Sequence, residues 1–171
     1  MAEAIQLPQD RETPVVFKRG PSISYRYAYA RSSDSRQAND LGQDCLTIRE
    51  DGTRLAFSLC DGVSQSFYGD LASRLLGKKV VDWLWACEAI SPSNIDEQEK
   101  KLGAYLQELT QEGTDQVQSF NLPADIPPMV RTVLEKKRGM GSESTFAAGL
   151  IDSNKNIILL IWMGDSRLRV W

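Results

Sequence analysis

The chain has 171 residues, 42% hydrophobic and 25% charged, with 20 basic and 23 acidic side chains for a net charge of −3. That length suits one domain able to bury about 68–70% of its surface, and the balance excludes collagen-like, low-complexity and wholly disordered chains. Histidine is absent, which removes Ser-His-Asp and Cys-His catalysis and every imidazole zinc site, leaving chemistry to carboxylates, hydroxyls and thiols.

Residues 1–20 mix Pro8, Pro14, Gly20 and charges, which predicts a flexible lead-in with a short strand at Val15–Lys18, ahead of a domain over residues 21–171. Ile23, Tyr25, Tyr27 and Tyr29 alternate with Ser24, Arg26, Ala28 and Ala30, the two-residue period of a half-buried strand. Interleaved aromatic and Arg residues also suit base stacking, but a chain with a pI near 5.1 lacks the basic footprint of a nucleic-acid binder. Residues 31–43 read as turn. Cys45–Arg49 and Arg54–Cys60 read as strands joined at Asp51-Gly52, a strong hairpin signal.

Leu71, Leu75, Leu76, Val80, Trp83, Leu84 and Cys87 recur at three- and four-residue spacing, which predicts a long amphipathic helix with Ser66 as its N-cap. A second helix carries Leu102, Tyr105, Leu106 and Leu109. A third carries Met129, Val130, Val133 and Leu134 before Lys136-Lys137-Arg138, a run that reads as a solvated helix end complementing the dipole. Strands return at Ser144–Ile151, Ile157–Met163 and Arg167–Trp171, with a turn at Asp152–Asn156. Strands, then helices, then strands predict an α+β fold of sheet layers covered by helices.

Cys45, Cys60 and Cys87 form no CxxC pair, so neither a disulfide framework nor a zinc ribbon is expected. No run of about 18 apolar residues and no basic-then-apolar start is present. The expectation is a reduced cytoplasmic chain with neither membrane nor nucleic acid among its partners.

If Asp51-Gly52 is a two-residue turn, Asp44 faces Leu59 and Asp61 faces Gly42. Asp44 and Asp61 then stand diagonally, about 7–8 Å apart at the backbone, on the face that carries Leu46, Ile48, Leu55, Phe57 and Leu59. The opposite face, with Cys45, Thr47, Ala56, Ser58 and Cys60, is small enough for a helix to lie against. Two carboxylates at the end of an apolar face repel each other and lose hydration unless a hard cation such as Mg²⁺ or Mn²⁺ takes their oxygens. Equally, both can end their strands in solvent with Asp61-Gly62 as a turn. A second cluster, Gly139-Met140-Gly141-Ser142-Glu143-Ser144 with Gly164-Asp165-Ser166-Arg167, meets at one hairpin end if the last strands pair. Its glycines permit close backbone approach to a ligand or ion, and they also punctuate ordinary turns.

In this order, Gly42-Gln43-Asp44, Leu59-Cys60-Asp61-Gly62-Val63, Tyr68-Gly69-Asp70-Leu71-Ala72-Ser73, Gly141-Ser142-Glu143-Ser144-Thr145 and Met163-Gly164-Asp165-Ser166-Arg167 resemble the metal-dependent (type 2C) Ser/Thr protein phosphatases. The resemblance spans about residues 23–171. It implies a β-sandwich flanked by helices and hydrolysis of phosphoserine or phosphothreonine in a phosphoprotein substrate. In that family two Mg²⁺ or Mn²⁺ ions, with a possible third weaker site, hold a bridging water or hydroxide that attacks phosphorus directly, a mechanism that needs no histidine. By position, the resemblance implies Asp61 as the carboxylate that bridges both ions, Gly62 as the carbonyl ligand, Asp44 as a carboxylate holding its ion directly or through water, and Asp165 as the aspartate of the weaker site. The phosphate-binding arginine falls on Arg36 or Arg31.

The chain departs from the family where Asp61-Gly62-Val63-Ser64-Gln65 replaces a signature that often carries histidine. The family's core also continues past the Gly-Asp-Ser-Arg strand and supplies two more metal-binding aspartates there. The resemblance therefore implies the N-terminal portion of a catalytic domain, whose open sheet edge would favour self-association or completion by another chain. The alternative it implies is a catalytically inactive phosphatase-like binding module.

Overall fold

The computed structural model describes residues 2–87 and 91–169. Seven strands and four α-helices make a mixed α+β fold. The strands are β1 (Glu3–Gln6), β2 (Thr13–Arg19), β3 (Ser24–Tyr29), β4 (Cys45–Glu50), β5 (Arg54–Gly62), β6 (Ser144–Asp152) and β7 (Ile157–Met163). The helices are α1 (Ser33–Ala38), α2 (Gly69–Ala86), α3 (Ile95–Ser119) and α4 (Pro128–Met140). Five strands form one sheet in the order β1-β4-β5-β6-β7, every pair antiparallel, while β2 and β3 form a separate hairpin.

Alternation decides what each face of the main sheet can pack. Cys45, Ala56, Cys60, Phe146, Ala148, Leu150 and Leu159 point to one side, where they meet Val80, Val81 and Leu84 of α2. The small residues of β4 and β5 let the helix come close. A Cβ on Gly77 would stand 3.1 Å from Thr47 Oγ1 and 3.5 Å from Cys60 Sγ. Behind α2 lies α3, held by an ion pair of Lys79 with Glu112 at 2.6 Å and by Tyr105 Oη donating to the Lys79 carbonyl at 3.3 Å. On the other side of the sheet, Leu59, Ile158 and Trp162 are 49%, 65% and 63% exposed, so that face is covered only in part.

The β2–β3 hairpin provides the partial cover, on the β1–β4 side. Lys18 pairs with Glu3 at 3.5 Å, and Tyr25 and Tyr29 approach Glu50 and Asp44. The tyrosine stripe thus turns inward, as its period predicts, and Arg26 turns outward over the Phe17 ring at 5.4 Å.

Several expectations need correction. Residues 3–6, read as lead-in, form an edge strand paired to β4, and Leu7 and Gln9 are buried. Four residues are too few to show a period, so the sequence carries no signal for this strand. Residues 33–38 form a short helix capped by Ser32, whose hydroxyl accepts from the Ser35 N–H at 3.1 Å. Ser66 does not cap α2: Tyr68 holds that position at φ 42° without a side-chain bond. The Ser66 hydroxyl instead donates to the Val63 carbonyl and accepts from the Glu143 N–H. The basic run ends α4 as expected, but only part of it is solvated, because Arg138 lies over the Phe67 ring at 5.1 Å and donates to the Phe120 carbonyl. Residues 167–169 are not in a strand; the rest of the expected Arg167–Trp171 strand lies outside the described residues.

Candidate functional site

The register of the β4–β5 ladder decides how the two candidate aspartates meet. Cys45 pairs with Cys60 and Glu50 with Leu55, a shift of two residues from the pairing expected of a two-residue Asp51-Gly52 turn. The Asp51 carboxylate causes the shift. It accepts from the N–H groups of Thr53 and Arg54 at 3.0 and 2.8 Å, pulling Thr53 into the turn, a role suited to Asp. An even shift keeps every side chain on its predicted face. Asp44, one position beyond Cys45, therefore stands directly opposite Asp61 rather than on the diagonal.

The hydrogen-bond phase brings them closer still. The Asp51 N–H donates to the Arg54 carbonyl, and Val63 and Ser153 donate across the β5–β6 ladder to Glu143 and Thr53. Odd-numbered β5 residues thus bond β6 and even-numbered ones bond β4, which leaves Asp44 and Asp61 as a non-hydrogen-bonded pair. Such pairs have Cα atoms about 4.5 Å apart, with side chains closer than in bonded pairs. The two carboxyl groups are near enough to share a proton. Partial burial, the hydrogen bond with Asp61 and its charge push Asp44 up to about 6.

Backbone latches hold both residues in place. The Asp44 carbonyl accepts from Gln9 Nε2 at 2.9 Å, and the adjoining Gln43 carbonyl accepts from Ser73 Oγ of α2. The Asp61 carbonyl accepts from Ser144 Oγ at 3.0 Å. By the same alternation, the backbone of Gly62 turns toward the Gln43–Asp44 segment. A Cβ on Gly62 would lie 2.6 Å from the Gln43 oxygen and 2.5 Å from the Gly69 oxygen, so only glycine lets the end of β5 and the start of α2 cross here. Asp70, in the first turn of α2, is buried, its carboxyl raised by that burial and opposed by Arg74 at 3.0 Å.

The Ser-rich segment reaches this end of the sheet as expected. Ser142 Oγ accepts from the Ala72 N–H and donates to the Tyr68 carbonyl, stitching the start of β6 to α2. Asp165 follows Gly164 at the end of β7 and is exposed. Its neighbour Ser166 bonds Thr145 at 3.0 Å, and Thr145 is paired with Asp61. Among the described residues, no third Cys, Asp or Glu joins Asp44 and Asp61 in a group able to hold a metal ion, so Asp165 is not brought into their cluster.

The two candidate arginines differ. Arg31 is committed: it pairs with Glu12 at 3.0 Å, donates to the Asp40 carbonyl and has a side chain only 10% exposed. Arg36 is exposed on α1.

Sequence reasoning missed Gln9, Ser73 and Tyr29. Gln9 lies in the apparent lead-in, Ser73 reads as one more polar helix position, and Tyr29 is one of three equivalent tyrosines. None carries a local signal. Two opposed carboxylates and a glycine carbonyl are hard oxygen donors, the donor set suited to Mg²⁺ or Mn²⁺ with water completing the shell. The chain matches no protein-family model, no curated protein and no solved structure in comparisons with each.

Proposed function

We propose that the chain is the N-terminal portion of a metal-dependent Ser/Thr protein phosphatase of the type 2C kind, with Asp44, Asp61 and the Gly62 carbonyl holding divalent cations. The direct opposition of Asp44 and Asp61 at the end of the sheet carries this reading. Two opposed carboxylates repel each other when ionised, and a dication compensates both charges. Bound there, Mg²⁺ or Mn²⁺ supplies charge stabilisation and an activated water at neutral pH, which a chain without histidine needs. Arg36 is the arginine free to meet a substrate phosphate, since Arg31 is spent on Glu12. Asp165 contributes at most to a further, weaker site. The five-stranded sheet is then one layer of a β-sandwich and the β2–β3 hairpin the start of the second. A cytoplasmic location accompanies this reading; no described helix is long and apolar enough to cross a membrane.

A second reading, a phosphatase-like module that binds a partner without catalysis, is favoured by the absence of a third carboxylate at the pair among the described residues. Hydrolysis of a phosphothreonine peptide in Mn²⁺ separates the two. The first reading expects, from the chain extended to supply the family's two further aspartates, turnover that EDTA and Asp61→Asn both abolish. Turnover retained in Asp61→Asn overturns the site, and tight peptide binding without turnover selects the second reading.

A further inference from the structure

Between Glu12 and Asp34 the chain carries Lys18, Arg19, Arg26 and Arg31 and no acid, in a molecule of net charge −3. Most of this stretch is the β2–β3 hairpin, and its cations fall into two kinds. Lys18 and Arg31 are paired, with Glu3 at 3.5 Å and Glu12 at 3.0 Å. Arg19 and Arg26 are exposed on the outer face, and among the described residues neither forms an ion pair or a hydrogen bond. Their guanidiniums stand 5.6 and 5.4 Å from the centroid of the Phe17 ring. Phe17 and Val15, on the same face, are 51% and 72% exposed. Two cations over one ring repel each other, and the ring orders both side chains before any anion arrives, which lowers the entropy cost of binding one.

We propose that the outer face of the β2–β3 hairpin is a docking surface for an extended acidic peptide segment, in which two carboxylates separated by one residue meet Arg19 and Arg26 and an apolar residue two positions further on meets Val15. The register sets this spacing. Arg26 is opposite Phe17 and Ser24 opposite Arg19, so the two arginines are diagonal neighbours about 7–8 Å apart at the backbone. In an extended chain, side chains two residues apart point the same way at a separation of about 7 Å. Each guanidinium fork takes one carboxylate through two parallel hydrogen bonds. Arg19, Arg26 and Val15 stand at successive two-residue steps along the hairpin, and acid, acid and apolar residue follow at the same steps. The number of free cations selects this partner over other anions. Two arginines fall short of the roughly 6–10 phosphate contacts of a nucleic-acid interface and of the clusters of about 4–8 basic residues that hold an anionic membrane. The inference is independent of the metal centre.

The test is fluorescence anisotropy of a short labelled peptide with a Glu-Ser-Glu-Ser-Leu core, titrated at low salt with the 171-residue chain as wild type and as the double variant Arg19→Gln/Arg26→Gln. EDTA is present throughout, so that no cation can bridge the peptide to Asp44 and Asp61. The expected result is binding by the wild type that weakens about tenfold in the double variant, the loss of two exposed but bidentate pairs. Equal binding by the two proteins, or none by the wild type, overturns the proposal. Two control peptides keep the test on the wild type alone, whatever the variant does to folding. A Gln-Ser-Gln-Ser-Leu core is expected not to bind, and a Glu-Glu-Ser-Ser-Leu core to bind more weakly than the first. Equal affinity for the glutamine peptide overturns the role of charge, and equal affinity for the rearranged peptide overturns the spacing. Binding of a single-stranded oligonucleotide or of phosphatidylserine vesicles that exceeds peptide binding and is lost in the double variant overturns the choice of partner.

Discussion

Asp44 and Asp61 face each other across a non-hydrogen-bonded position at the end of the β4–β5 ladder, one position past the pairing of Cys45 with Cys60. Few cross-strand pairs place two acids in this relation, because like charges directly opposite destabilise a sheet. Here Gln9 and Ser73 hold one backbone and Ser144 the other.

Without metal, protons relieve the repulsion. Asp44 is raised from the ordinary 3.8 to about 6 by burial and by Asp61, so the folded chain takes up a proton at higher pH than the unfolded chain does. Proton uptake on folding means that stability rises as pH falls from about 6 to about 4 and gains nothing more from this group below that range. Asp44→Asn removes the repulsion at every pH. Thermal melts at pH 7 without metal are expected to show it more stable than wild type by about 2–4 °C for each kcal/mol relieved, with a flatter response between pH 6 and 4. An unchanged pH profile in Asp44→Asn would contradict the assignment.

Gly62 is tested by size alone. Its missing Cβ leaves room for the Gln43 and Gly69 carbonyls, and neither backbone can yield without moving Asp44 or the start of α2. Gly62→Ala is expected to destabilise by about 1–3 kcal/mol or more, the usual cost of overpacking a tight site. Chemical denaturation measures it, and a Gly62→Ala midpoint equal to wild type would mean that the crossing of β5 and α2 is looser than described.

The exposed side of the sheet makes a separate prediction. Leu59, Ile158 and Trp162 share that face, and β7, Ile-Ile-Leu-Leu-Ile-Trp-Met, is an edge strand of the sheet without a charged residue. Long apolar edges pair with other strands. Sedimentation velocity is expected to show self-association that grows with concentration and is reduced in Trp162→Glu. A wild type that stays monomeric throughout would count against it.

Much of this was legible in the sequence, and the boundary has physical causes. Parity was legible: Asp44, Leu59 and Asp61 share a face, and the small residues opposite them meet α2, because a two-residue period survives any even register error. The register itself was not, since it depends on the Asp51 side chain accepting two backbone N–H groups rather than on the Asp-Gly dipeptide. Long periodic segments, α2 above all, were legible because packing and propensity agree there. The four residues of β1 and the Ser66 hydroxyl were not, because each is set by contacts with residues far away in the chain. Asp165 was placed at the correct end of the sheet by its hairpin, yet sharing an end does not bring it to the carboxylate pair.

Calorimetric titration of Mn²⁺ into the wild-type chain and into Asp61→Asn at pH 7.5 tests the central claim most directly. The account predicts binding in the wild type and loss of that binding in Asp61→Asn. Equal binding by the two proteins, or none by the wild type, would contradict it.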